Sequence, residues 1–451
     1  MSDGPIQRAL SRVTRAGAYA ADAVLFDVDS REVRVRGAEI DFVKQAREKS
    51  LSIRAFVKAP EGLSSAITST SDLSEAAIDR MAMETVELAQ ATEADPHAGL
   101  PDGDFATDFP DLALVDPADR EVALEVRIED ARRAEAAARA CDPRIVNSEG
   151  SEASSSFAAV ELGNTSGFHG TYESARHGLY SSPLAREDDS GSMQTDYWMT
   201  AARTLEDLEA PEAVGAEAAR RALRRLGSRQ IDTTEVPIVF EPMTARSLIG
   251  HVVGAIGGGA IYRKTSFLAE RLGDPIASPL VTLVDDGRRP GGLGSRPFDG
   301  EGLTTRRNVV MAEGILRSFL IDTYSGRKLD LPSTGSAGRG AGGGPSPSPT
   351  NFWMEPGTSS LEEMIATTER GFLVTWLFGH GFNAVTGDFS RGAAGVWIEN
   401  GKLTHPVDEV TIAGNLGNLL ESINAVGNDL LWLGSTAAPS FRVERLTVAG
   451  R

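Results

Sequence analysis

Apolar and polar residues keep two different rhythms along this chain. In the front half a helix is expected over about residues 4–20, followed by Val24–Arg36, VLFDVDSREVRVR, which alternates as a strand does. Leu51–Val57 is a second strand candidate. Asp72-Leu-Ser-Glu75 has the spacing of a capping box, so a helix is expected from Asp72 to about Ala91, stopping before Asp95-Pro96. Asp116-Pro117 predicts a longer helix through Cys141, because proline at the first helical position gives up an N–H that has no partner anyway. Asp142-Pro143 ends it. Residues 144–204 read as successive strands, and Pro211–Leu226 as a helix closed by Gly227.

The back half is turn-rich. Val236–Pro242 predicts a strand and Thr244–Ile256 an amphipathic helix. Val281–Val284, Val309–Ala312 and Gly314–Asp322 read as strands. Ser359-Ser-Leu-Glu362 is a second capping box, with Gly371 as the matching stop. Short strands then run to about Val407, and Glu399-Asn400-Gly401-Lys402 is a hairpin signal, since Asn-Gly tolerates positive φ at both central positions. A helix over Leu416–Val426 and a strand over residues 441–450 complete the pattern. Gly335–Pro349, GSAGRGAGGGPSPSP, reads as a flexible loop that buries no core. Most of the 47 glycines lie in the back half. This shift divides the chain into an N-terminal α+β domain (1–230), built on a largely antiparallel sheet, and a Gly-rich, mostly β C-terminal domain (231–451), a sandwich or a barrel.

Composition narrows the functions. Net charge is −19 over 451 residues, which disfavours a nucleic-acid binder, because such a protein needs a basic face against phosphates. The densest basic cluster, Arg220, Arg221, Arg224 and Arg225, reads as a solvated helix face. One cysteine, Cys141, excludes an intramolecular disulfide, and at a helix end it reads as packing rather than as a nucleophile. No segment approaches the roughly 18 apolar residues of a membrane span or has the form of a signal peptide, so a cytoplasmic protein is expected.

Candidate chemistry is sparse. A zinc peptidase needs rigidly placed His or carboxylate ligands and a base for the bound water. The six histidines are His97, His169, His177, His251, His380 and His405, and no two form HExxH, HExxxH or HxH. Folding could still gather dispersed ligands such as His169, His177 and His380. Gly257-Gly258-Gly259 lacks the GK[ST] ending of a phosphate loop and reads as packing. No G-x-S-x-G context supports a serine hydrolase. Asp285 and Asp286 read as solvated, and Glu362 and Glu363 as complements to a helix dipole.

The strings GHVVGAIGGGAIYRKTSF, SRPFDGEGLTTRRNVVMAEGILRSFLIDTYSGRKL, STGSAGR, PTNFWMEPG and GFNAVTGDFSRGAAGVWIENGKLTHPV, in this order, resemble the TldD/PmbA family and specifically its TldE/PmbA branch. The resemblance implies a two-chain zinc peptidase in which one chain holds the metal. In the metal-bearing branch the helix around His251 carries a Glu and a second His. Here the resemblance puts Val252 and Ile256 at those places, and no cysteine follows Cys141 to supply the branch's C-terminal ligand. It therefore implies no catalytic or metal residue in this chain, with zinc in a TldD-like partner. It places STGSAGR near the substrate channel and gives Arg339, Gly335, Asn351 and Asp388 as substrate contacts. Arg339, the only charged side chain in the glycine-rich run, would close over an unfolded peptide or bind its carboxylate; a plain surface loop is the alternative. A homodimeric regulator without hydrolysis, like a gyrase modulator, is the second functional reading. A stand-alone hydrolase with dispersed ligands is the third.

Overall fold

The alternation around Val24–Arg36 belongs to a set of unusually long antiparallel strands. The computed structural model describes residues 4–37, 39–188 and 191–451. In it α1 (Pro5–Arg15) precedes β1 (Ala20–Arg36), β2 (Glu39–Ala59) and β3 (Gly62–Thr70). Next come α2 (Glu75–Gln90), a 3-10 turn (Pro117–Glu121) and α3 (Leu124–Ala140). They lead to β4 (Ile145–Asn164), β5 (His169–Ala185), β6 (Gln194–Thr195), β7 (Trp198–Ala202) and α4 (Pro211–Leu223). These strands form one sheet in the order β3-β2-β1-β4-β5-β6, with β7 also on β5. Register follows the apolar pattern: Leu25 faces Leu51, and Val24 faces Leu162. Ile6 and Leu10 of α1 pack with Ile78 of α2 over Ala21 and Ile53, while Ala131 of α3 and Val214 of α4 pack over Val33 and Leu179.

The second half closes on itself. β8 (Thr234–Phe240) leads into α5 (Pro242–Ile256), α6 (Gly258–Tyr262) and α7 (Thr323–Leu329). The strands β9 (Arg370–Phe378), β10 (Asp388–Glu399), β11 (Lys402–Asn415) and β12 (Phe441–Ala449) follow. β9 pairs parallel to β8; the pairs β9–β10, β10–β11, β11–β12 and β12–β8 are antiparallel, so five strands close a barrel. Of the two architectures left open by the sequence, the barrel is the one formed. The β10–β11 turn is the expected one: Asn400 has φ 50° and Gly401 φ 72°. Phe240, Phe372, Val374, Trp397 and Phe441 fill one core together with Leu248, Ile249, Val252 and Ile256 of α5. Each such side chain contributes about 1.5–3 kcal/mol when fully buried. Gly258 starts α6 where a Cβ would run into Ser325 of α7, which is the packing role expected of that glycine run.

Several expectations are corrected. Ser74, not Asp72, caps α2; the Asp72 carboxylate accepts the Ser74 N–H at 2.9 Å in a turn before the helix. Pro117 opens only a 3-10 turn, because Val122 is extended and α3 starts at Leu124. The second capping box is Ser360 with Glu363, one residue later than expected. Of Gly314–Asp322 only Ile315–Leu316 pairs as a strand, and Asp322 caps the unforeseen α7. The helix at Leu416 stops at Glu421, and Ile423–Val426 joins β12.

The arginines of α4 do not form a solvated face either. Arg221 is 3% exposed and lies 2.7 Å from Glu241, which Arg224 also holds at 2.9 Å; Arg225 reaches Asp408 at 3.0 Å. Only Arg220 stays outside, on Glu217. The stripe joins α4 to the start of α5 and to the barrel.

Candidate functional site

α5 presents two faces. Pro242 takes the first helical position, and the core face buries Leu248, Ile249, Val252, Ala255 and Ile256. The opposite face carries Arg246, Ser247, Gly250, His251 and Gly254. Gly250 and Gly254 are exposed, and a Cβ at either would meet nothing within 4 Å. A Glu at 252 and a His at 256 would project into the barrel core, since both positions are fully buried. The positions of this turn that open outward are Gly250, His251 and Gly254, and only His251 among them can ligate a metal. Its ring stacks on Phe382 with centroids 4.4 Å apart, and its buried Nε2 has no hydrogen-bond partner among the described residues. Burial first, then Arg391 and His380, hold its pKa below the usual histidine value.

Exposed His380 stands near enough to act on His251, whereas His169 and His177 are placed apart. His169 bonds Glu161 at 2.9 Å on the sheet rim. His177 is fully buried, with Nδ1 2.8 Å from Ser155 Oγ and Nε2 3.3 Å from Asp119. That Ser-His-Asp row has the partners of a hydrolase triad, but Ser155 is buried too, so it pins the 3-10 turn to β4 and β5 rather than meeting a substrate. Among the described residues no three His, Cys, Asp or Glu side chains gather as a metal site.

The glycine-rich segment is tied down, contrary to the flexible loop expected. Ser336 and Ala337 are fully buried, and residues 337–338 pair with 346–347. The Arg339 side chain is 1% exposed; Nη1 lies 2.7 Å from Asp22 and Nε donates to the Gly343 carbonyl at 3.2 Å. Gly335 has φ 67° and a Cβ there would strike the Thr304 carbonyl, so only glycine suits the position. Asn351 is fully buried: its Oδ1 accepts the Gly294 N–H at 2.8 Å and its Nδ2 donates to Ser295 Oγ at 2.7 Å. Asp388 stands apart at the start of β10, exposed, accepting from Asn415 at 3.0 Å. The structure thus joins Gly335, Arg339 and Asn351 through one anchored segment, and of the four expected contacts Asp388 alone presents a charged group to solvent.

Two further readings are corrected. Asp285 is 1% exposed, not solvated; its carboxylate accepts the Thr350 N–H, and burial pushes its pKa up to about 6. Cys141 is free and exposed at the end of α3, so it does not pack.

Two cavities border these elements. A cleft of about 1620 Å³ opens between α1, the β2–β3 and β4–β5 turns, residues 96–105 and Arg327 of α7. A smaller pocket of about 140 Å³ lies beside the first turns of α5, lined by Tyr197, Arg246, Ser247, Thr375 and Trp376 among others. Arg246, Thr375 and the neighbouring Arg391 were not singled out from the sequence. A signal was there for Arg391: it shares the inward parity of β10 with Phe389 and Ala393, where a charge is costly.

Three family profiles match the chain in order: PmbA/TldA metallopeptidase domain 1 over residues 21–89, the central domain over 117–226 and the C-terminal domain over 233–450. The chain is similar to the metalloprotease PmbA of Escherichia coli O157:H7, 39% identical over 421 residues, or 93% of this chain and 90% of that one. The metalloprotease PmbA homolog of Haemophilus influenzae is 35% identical over 444 residues, 98% of this chain and 94% of its own length. The crystal structure of a putative modulator of DNA gyrase from Bacteroides thetaiotaomicron superposes with a TM-score of 0.89 at 29% identity, covering 99% of this chain and 98% of that one.

Proposed function

The chain belongs to the PmbA/TldA metallopeptidase family, and we propose that it is the subunit of a cytoplasmic two-chain peptidase that completes the substrate cleft while a TldD-like partner carries the zinc. One observation carries this reading. The outward face of α5 has glycine at 250 and 254 and only His251 as a ligating group; even with the nearby His380, no group of three ligands forms among the described residues, so the residues present do not fit a zinc ion. Zinc in the partner would supply the activated water for amide hydrolysis. This chain would hold the unfolded peptide. Backbone pairing with an extended chain suits that task because it reads little side-chain identity. Bare glycines at 250 and 254 let a backbone approach α5 closely, and the exposed Asp388 and the anchored Gly335–Asn351 segment are the substrate contacts proposed beside it. No described helix is long and apolar enough to cross a membrane, which accords with a chain that meets its peptide in water.

The test is hydrolysis of an unstructured peptide by this chain alone, by a TldD-like chain from the same cell, and by the two mixed. Cleavage by the mixture alone, or far faster than by either chain, supports the reading. Cleavage by this chain alone contradicts it. Binding of the peptide with no cleavage in any sample favours the second reading, a homodimeric regulator, which the gyrase-modulator description of the solved relative supports.

A further inference from the structure

Most buried arginines of this chain are matched. Arg221 and Arg224 hold Glu241, Arg54 holds Asp22, and Arg203 donates to the carbonyls of Ala175, Gly292 and Leu293. Two arginines beside α5 break this pattern. Arg391 is 7% exposed; among the described residues it bonds only the Ser247 hydroxyl at 2.6 Å and the Gly379 carbonyl at 3.1 Å. Arg246, partly buried, has no hydrogen-bond or ion-pair partner among the described residues. Burial pushes both guanidinium pKa values down, and among the described residues no carboxylate stands near enough to offset it. In a chain of net charge −19, cations left without anions mark a place reserved for one.

The pocket beside them carries a second, independent sign. Thr375 is 2% exposed, lines the 140 Å³ cavity, and its Oγ1 has no partner among the described residues. Tyr197 and Ser247 add hydroxyls to the same wall, and Trp376, Leu377 and Met243 add apolar surface. One guanidinium with three hydroxyls is a donor set for an oxyanion. The volume admits a carboxylate and the end of a side chain, not a folded segment. One turn further along α5, Gly250 and Gly254 leave room for a backbone to leave the pocket.

We propose that this pocket binds the C-terminal carboxylate of an extended peptide, gripped by Arg246, Tyr197, Ser247 and Thr375, with Arg391 holding Ser247 in place. The peptide as ligand rests on the function proposed above; the oxyanion site does not. Phosphate shares the chemistry, so it serves as a separate arm of the test.

Calorimetric titration of the single full-length chain decides it. The probes are an unstructured peptide with a free C-terminus, the same peptide as its C-terminal amide, and inorganic phosphate. The free acid is expected to bind about 10-fold or more tightly than the amide, the gain typical of hydrogen bonds to a charged group. Phosphate should compete with it. Arg246→Met should erase the difference between acid and amide. Thr375→Val, which keeps the volume of the buried side chain, should reduce it several-fold. Equal binding of acid and amide overturns the proposal, whether or not phosphate binds, and so does an unchanged preference in a folded Arg246→Met or Thr375→Val chain. Absence of binding by all three probes overturns it as well. Because no partner or hydrolysis is needed, failure of the peptidase assay and failure of this pocket are separate results.

Discussion

Arg339 reaches out of the glycine-rich segment to set Nη1 2.7 Å from Oδ1 of Asp22 on β1, 317 positions away in the chain. Arg54 of β2 holds the other oxygen of Asp22, and Glu301 lies 4.0 Å from Arg54. The first sheet and the segments that flank the barrel are therefore joined by a buried ionic cluster. The two arginines hold the Asp22 carboxyl below its usual range although burial alone would raise it.

Arg339 is thus expected to act on stability. Arg339→Met leaves Asp22 with Arg54 alone and should cost roughly 3 kcal/mol, the low end for breaking a buried pair. A thermal melt checks it. An unchanged midpoint with weakened peptide binding would instead make Arg339 a direct contact.

Glu301 should make stability depend on pH. Burial first, then Asp299, pushes its carboxyl up to about 7, against the pull of Arg54. An acid whose folded pKa exceeds its unfolded value stabilises the fold below the ordinary carboxylate range, and that contribution is lost as pH rises through about 7. Between about pH 5 and pH 8 the parent chain should lose melting temperature relative to Glu301→Gln. Parallel curves for the two chains would contradict the assignment.

Glu241 holds α4 against the barrel through Arg221 and Arg224. Glu241→Gln keeps the shape and removes the charge, leaving Arg221 and Arg224 to share the buried Asp196, 3.3 and 3.7 Å away. A loss of about 3 kcal/mol is expected, the low end for breaking a buried pair. Denaturant melts followed by tryptophan fluorescence, to which Trp198 beneath Arg221 contributes, would report it. A loss within about 0.5 kcal/mol, the range of an ordinary surface substitution, would contradict the clasp.

Cys141 is exposed, so a thiol reagent should modify it in the native chain without denaturant. Free access with no change in melting temperature is expected. Protection until the chain unfolds would contradict the placement.

Features written in local order were legible in the sequence. The β10–β11 hairpin follows from Asn400-Gly401, and α5 from the apolar spacing after Pro242. Features that depend on distant partners were not. The charges of Arg221 and Arg225 look solvated along the helix because Glu241 and Asp408 stand 20 and 183 positions away. Arg339 looked mobile because its glycine neighbours hide the anchor supplied by Asp22. α7 was missed because the run through Ile321 reads as strand, though Asp322 and Ser325 have the spacing of a cap. At α5 the local sequence places Val252 and Ile256 on one helix, but only the packing of that helix on the barrel shows that both are buried.

Zinc content of the purified chain tests the central claim most directly. After dialysis against dilute zinc and removal of loosely held ions, elemental analysis should find far less than one zinc per chain, because Gly250 and Gly254 add no ligand to His251 and the nearby His380, and no group of three ligands forms among the described residues. One tightly held zinc per chain, lost on His251→Ala, would contradict the account and make this chain a metal-bearing subunit in its own right.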